Sequence, residues 1–410
     1  MNLVLLGNGF DLNLGLPTSY IDFLDTMNYV WKHECDSFKT IADLWSCEEL
    51  QAHNKNIRTA YNKYKEIYED IMLPDGFLNK MKSTLEKNLW FHYLLNSVNK
   101  NIGWIDFEQE IKTVVRSLNL IFKHLHEEYI DNSSRTLQRN FYIVSQFGIF
   151  IEEREPKYGS SIRIDKLIKK DFLVEYPIGS NCLTIDKEKI ISHIFCDLEE
   201  FVDVLQAYLK IFIDGPFEKI TGAGLIEDDS MFGYTNRAVT LNYTHSFEKI
   251  YPSVKVYHLH GEIGEKIILG IASDENDGEN FINTDFIMFK KYFQRVIHGT
   301  DEEYLSFLQN IKNLPQKMKK ISLTVMGHSL DVSDRDIIVE LFNASDSITI
   351  LYHSQGALET YVRNLVRIFG KQGLDELRAA KSLKFHPLAE EQSFTVEQGI
   401  EDFFTSYEEK

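Results

Sequence analysis

The residues of this chain best suited to chemistry are an asparagine and a histidine that close two successive strand-like segments. Asn242 lies in Thr240-Leu241-Asn242-Tyr243-Thr244, and His260 lies in Tyr257-His258-Leu259-His260-Gly261. Neighbouring parallel strands would bring both to one edge of a sheet. The Asn amide offers a donor and an acceptor that can hold a water or a ribose hydroxyl. A neutral imidazole can serve as general base near neutral pH. The pair suits chemistry at a ribose anomeric carbon, where a cationic leaving group departs and water must be oriented. The competing reading of His260 is a core or loop hydrogen-bonder. His258-x-His260 resembles a metal pair, but alternate strand residues face opposite sides. No Asp, Glu or His at suitable spacing completes the set, so no metal is expected; His245 and His328 are candidate accessories.

Two glycine-containing turns could hold phosphates. Gly7-Asn8-Gly9-Phe10-Asp11, with Gly15-Leu16-Pro17 behind it, follows the apolar run Leu3–Leu6, and Gly327-His328-Ser329-Leu330 follows Ile321–Met326. Turns at the carboxyl ends of parallel strands are where open α/β sheets bind ligands. The dinucleotide fingerprint G-x-G-x-x-G is not met, because position 12 is Leu; a tight strand-to-helix turn without ligand is the plainer alternative. Candidate ligand contacts are Gly7, Asn8, Gly9, Phe10, Asp11, Pro17, Gly327, His328, Ser329 and Asp331. Asp11 reads as either a ribose contact or a cap, and Asp331 is likewise left between ligand and cap. Asp334 reads as a cap of the next helix. Ser19 and Asp22 are spaced as a capping box. Asp106, with Gln109 three residues on, has the same spacing, although Asp106 or Glu108 could instead reach into the pocket.

Positioning these loops requires short buried strands, expected at Leu3–Leu6, Ala238–Leu241, Val254–His258, Lys266–Ile271, Ile321–Met326 and Ser347–Tyr352. All are rich in Val, Ile and Leu and bounded by turn residues, as in parallel sheets. Asp334–Phe342 reads as the helix of a βαβ unit. The middle of the chain differs: Leu85–Val98, Trp104–Leu125 and Lys189–Phe212 carry helical periodicity, and Tyr158–Asn181 looks irregular. The expected architecture is an α/β, Rossmann-like parallel-sheet core from residues 1–30 plus 221–370. Residues 31–220 form a large, mainly helical insertion, and 371–410 a C-terminal helical segment or tail.

Composition narrows the class. A chain of 410 residues can hold two to three domains, and its net charge of -18 argues against general nucleic-acid or anionic-lipid binding. No apolar run approaches the ~20 residues of a membrane span, and the first residues do not read as a signal peptide. Cys35, Cys47, Cys182 and Cys196 form no C-x-x-C pair. A cytoplasmic location is expected.

The strings GNGFDLNLGLPTSYIDF, LNYT, YHLHG and GHSLDVSDRD resemble the AbiH family of bacterial abortive-infection proteins, as does Trp104-Ile105-Asp106-Phe107-Glu108. These motifs are in turn similar to the sirtuin-like nucleotide-binding fold, over about half of the chain. The sirtuin glycine pattern is mirrored by Gly7, Gly9, Gly15 and Pro17, its T-x-N by Thr240 and Asn242, and its His-Gly by His260. Its G-T-S-L-x-V is mirrored by Gly327, Ser329, Leu330 and Val332. The resemblance implies that the glycine loops hold NAD while Asn242 and His260 carry the chemistry. Thr244 stands where a sirtuin has Asp, His328 replaces a Thr, and the Cys-rich zinc module is missing, which argues against deacetylation. The implied activity is an anti-phage effector hydrolysing NAD, as substrate, to ADP-ribose and nicotinamide. The alternatives are a non-catalytic nucleotide-binding sensor or regulatory subunit, and a metal-dependent nuclease. Implied partners are further copies of the chain or a co-encoded defence protein, with a phage-derived trigger.

Overall fold

A computed structural model describes residues 1–98, 106–124, 129–131, 135–151, 161–175, 183–222, 232, 234–272, 284–313, 320–380 and 383–388. Six parallel strands build one sheet: β1 (Asn2–Leu6), β2 (Arg237–Thr240), β3 (Lys255–His258), β4 (Ser322–Met326), β5 (Ser347–Tyr352) and β6 (Lys384–Pro387). Their order across the sheet is β6-β5-β4-β1-β2-β3. Read from the other edge this is 3-2-1-4-5-6, the doubly wound order of dinucleotide-binding folds, whose ligand crevice lies where the order reverses, between β1 and β4. Leu6 pairs there with Met326 on one side and Thr240 on the other. The turns starting at Gly7 and Gly327 therefore leave the sheet side by side.

The strands alternate between two apolar layers, as a parallel sheet covered on both faces must. Leu3 and Leu5 pack with Val239, Leu323, Val325 and the helices Arg335–Ala344 and Gln355–Ala380. Val4 and Leu6 pack with Phe10, Ala238, Phe247 and Met326 on the other face. Phe10 is thus a core residue, its ring 5.5 Å from that of Phe247. Expected among the ligand contacts, its side chain is instead enclosed by Phe232 and Phe247.

Two expectations for the core need correction. Lys266–Ile271 forms no strand. The chain doubles back at Gly261 (φ +75), where a Cβ would sit 1.8 Å from the Lys266 carbonyl oxygen. Side chains then take the backbone groups a ladder would use: Tyr243 donates to the Ile268 carbonyl and Gln294 to that of Leu269. The sixth strand, Lys384–Pro387, comes from the segment expected to be a helix or tail; its neighbours 389–410 lie outside the described residues.

The insertion has its own apolar core. Helices Phe107–His124 and Lys187–Tyr208 contribute Phe107, Ile111, Leu118, Phe201 and Tyr208 to it. Tyr243, Ile267, Phe286 and Phe289 extend this core into the sheet-bearing part. Of the segment expected to be irregular, Ser161–Arg163 pairs with Tyr129–Asp131 and Leu173–Glu175 with Leu183–Ile185. Trp104, Ile105, Leu125, Cys182 and the remainder of 158–181 fall outside the described residues. Cys35, Cys47 and Cys196 are free thiols. Among the described residues no helix is long and apolar enough to cross a membrane.

Candidate active site at the sheet edge

The glycine turns meet backbone to backbone. Gly9 donates its N–H to the Gly327 carbonyl at 2.8 Å, and a Cβ on Gly327 (φ +70) would sit 2.2 Å from the Phe10 nitrogen. That approach explains these glycines before any ligand is considered. Exposed Asn8 and Ser329 form the rim of the junction. Asn8 clasps the following loop, accepting from the Thr18 hydroxyl at 2.6 Å and donating to the Thr18 carbonyl. Buried Pro17 accepts from the Tyr208 hydroxyl through its carbonyl, tying that loop to the insertion. Among the described residues Leu330 (φ 53) is the one non-glycine in the left-handed region. Such strain persists where surroundings fix it: the Leu330 side chain is fully buried and its N–H donates to His328 Nδ1 at 2.9 Å.

Asn242 is buried and donates from Nδ2 to the Gly7 carbonyl at 3.1 Å, fastening the end of β2 to the first glycine turn. Asp11 neither caps a helix nor reaches solvent. It is fully buried and accepts from the Thr244 and Ser246 hydroxyls, while burial pushes its carboxyl up to about 6. The carboxylate near the Asn242 turn is therefore supplied by Asp11, held through Thr244.

Beneath this junction lies a buried ionic cluster. The Lys291 ammonium sits 2.7 Å from both Glu108 Oε1 and Asp334 Oδ1. His260 Nε2 is 3.3 Å from Asp334 Oδ1, and His328 Nε2 is 3.4 Å from Asp334 Oδ2. Because His328 Nδ1 accepts the Leu330 N–H, the ring's proton resides on Nε2, facing Asp334. His260 Nε2 is buried and, despite its proximity to Asp334, lacks an aligned hydrogen bond. Burial, then the Lys291 charge, lower His260 to about 4, so its imidazole is neutral at neutral pH. Burial alone would raise Asp334, but Lys291 and the two histidines hold it well below the usual carboxylate range. Burial raises Glu108 to about 7 against the pull of Lys291, whose charge Asp334 shares. Burial disfavours the Lys291 charge, yet the two carboxylates keep it firmly protonated.

These contacts revise several expectations. Asp334, read as a helix cap, makes no side-chain cap bond and is the hub of the cluster. Asp106 does cap, accepting from the Glu108 and Gln109 N–H groups, which leaves Glu108 as the residue reaching inward. Asp331 accepts from the Ser333 N–H at the start of a short 3-10 turn. Lys291 escaped the sequence reading. Its helix, Lys291–His298, buries Lys291, Gln294 and Arg295 and exposes Tyr292, Val296 and Ile297. The i, i+3, i+4 grouping of polar residues was present in the sequence, but the pattern alone assigns such a face to solvent.

The strand order, the twin turns at its switch point and the buried polar cluster define a Rossmann-like α/β protein with a helical insertion. The sequence matches the family described as bacteriophage abortive infection AbiH over residues 3–353, and the chain belongs to that family. No curated protein and no solved structure matches it.

Proposed function

We propose that this abortive-infection protein binds NAD where the Gly7 and Gly327 turns meet and hydrolyses it to ADP-ribose and nicotinamide. Water adds to the ribose anomeric carbon as the bond to the nicotinamide nitrogen breaks, and the water's proton passes to His260 or to solvent. Asn242 orients the water and ribose, and His260 polarises a ribose hydroxyl. Ser329 and Asn8 supply the rim for the phosphates. The observation that carries the reading is His260 Nε2: a buried, neutral ring nitrogen with an unfilled hydrogen bond, below a Rossmann switch point. A Lys–carboxylate cluster beside it provides the fixed charges with which enzymes stabilise a developing cation.

The same geometry accounts for restraint. His260 and Asn242 are 3% and 7% exposed, so substrate reaches them only when the cover opens. Glu108 of the insertion pairs with Lys291, whose charge acts on His260, and in this reading its release is part of that opening. In this reading the insertion is the module through which a phage trigger releases the site. A second reading, a non-catalytic nucleotide sensor, is favoured by the use of the Gly9 N–H within the protein.

The test combines purified protein, alone and in extract from phage-infected cells, with NAD and follows nicotinamide release. His260→Gln and Asn242→Ala, checked for native melting, are expected to lose at least a hundredfold of the activity. Turnover undiminished in both variants refutes the assignment. A melting shift with NAD but no nicotinamide under any condition selects the sensor.

A further inference from the structure

Alternation along β3 sends His258 away from the Lys291 cluster into a second group of ionisable residues. One ring nitrogen each of His245 and His258 and a carboxylate oxygen of Glu262 all lie within 4.8 Å of one another. We propose that these three residues bind a divalent transition metal ion of the zinc type, with Glu248 as a fourth ligand.

Three features support the site. First, each imidazole is oriented from behind, as metal-bound histidines are: His245 Nδ1 is 2.9 Å from Asp214 Oδ2, and His258 Nδ1 is 3.1 Å from the Asn242 carbonyl oxygen. A carbonyl can only accept, so His258 Nδ1 carries a proton and Nε2 is the nitrogen left to meet a metal ion. Second, both Nε2 atoms nevertheless face carboxylates, His245 toward Glu262 at 2.8 Å and His258 toward Glu248. Asp214 first, and Glu262 with it, raise the His245 ring to about 9, so a metal ion would enter by displacing the proton it shares with Glu262. Third, Glu248 Oε2 is buried with no hydrogen-bond partner.

Mixed imidazole and carboxylate ligands suit zinc and its neighbours better than magnesium or calcium. In a tetrahedral site the ligand atoms lie roughly 3.4 Å apart, so Glu262, now 2.8 Å from His245 Nε2, must move outward to admit the ion. Glu262, about a third exposed at 34%, has the freedom to do so. Asp214, at the end of the helical turn Leu209–Asp214 of the insertion, holds both the backbone N–H and the ring of His245, so the site abuts the junction of insertion and sheet.

The full-length chain, stripped with chelator, is titrated with zinc by calorimetry, and with cobalt(II) by visible absorption. One zinc per chain is expected, with the absorption of a four-coordinate cobalt site and a raised melting temperature. Glu262→Gln, nearly isosteric and at the surface, and His245→Ala should each weaken zinc binding at least tenfold. Asp214→Asn, acting through the His245 ring, should weaken it by about 10–100-fold, and His53→Ala should leave it unchanged. Failure to bind zinc, or equal affinity in Glu262→Gln and His245→Ala, overturns the proposal. So does doubly protonated His245 and His258 rings in NMR spectra that zinc does not alter. NAD turnover does not enter these readouts, so the two proposals stand or fall separately.

Discussion

Replacing Lys291 with Met removes the one cation between Glu108 and Asp334 while keeping most of the side-chain volume. Each 2.7 Å contact is worth about 6 kcal/mol of gross Coulomb energy at an effective dielectric near 20. Desolvation of three buried groups offsets most of it. What the substitution exposes is the uncompensated burial of two carboxylates, which costs about 3–5 kcal/mol when one partner of a buried pair is removed. The loss should depend on pH, with a definite sign. Without the ammonium, burial lifts the folded-state carboxyls above their ordinary values of 3.8 and 4.5. A group raised in this way contributes stability below its unfolded pKa and loses it as pH climbs through the folded one. The deficit of Lys291→Met should therefore widen between about pH 4 and about pH 8. Guanidinium unfolding followed by tryptophan fluorescence measures it, and a triple variant with Glu108→Gln and Asp334→Asn should recover most of the loss. A deficit below about 1 kcal/mol, typical of exposed pairs, or one that does not vary with pH, would refute the assignment of a tightly buried cluster.

Three further outcomes are expected. Gly327→Ala adds a Cβ 2.2 Å from the Phe10 nitrogen at φ +70, so it should lose about 3 kcal/mol or fail to fold; melting within a degree of wild type would contradict the packed junction. Glu108 is raised from 4.5 to about 7, so its stabilisation is complete below 4.5 and lost as pH rises through 7. Relative to wild type, Glu108→Gln should gain on the order of 3 kcal/mol across that window, and a difference constant with pH counts against it. Ser19→Ala removes a capping-box acceptor 3.3 Å from the Asp22 N–H and should cost about 1 kcal/mol of stability, read from the denaturation midpoint.

The frame of the site is legible in the sequence because it is written locally. Val, Ile and Leu runs ending in Gly, Asn or His announce buried strands and their turns, and five such runs are β1 to β5 within a residue or two. The Ser19–Asp22 box was legible because its two bonds join residues three apart. The ionic cluster was not legible, because its members come from Glu108, His260, Lys291, His328 and Asp334, and only folding sets them face to face. Asp334 illustrates the difficulty: its position before a helix suggests a cap, whereas Lys291, 43 residues away, outcompetes the backbone N–H for its carboxylate. Lys384–Pro387 was missed since Lys, His and Pro suit an edge strand, which lacks the apolar signature of a central one.

The position of the insertion has a consequence for synthesis. Of the six strands β1 is made first, yet it is one of the two central ones: the Gly7 carbonyl waits for Asn242, 235 residues on, and the Met1 nitrogen for Lys320, 319 residues on. Closing a flexible loop of 235 residues rather than a crossover of about 30 costs about 2 kcal/mol more in chain entropy. That penalty shrinks once the helices between have condensed around their own aromatic residues and drawn their two ends together. Until then a short, mostly apolar ribbon has no neighbour on either side, and the nascent chain is most exposed to wrong pairings during this interval.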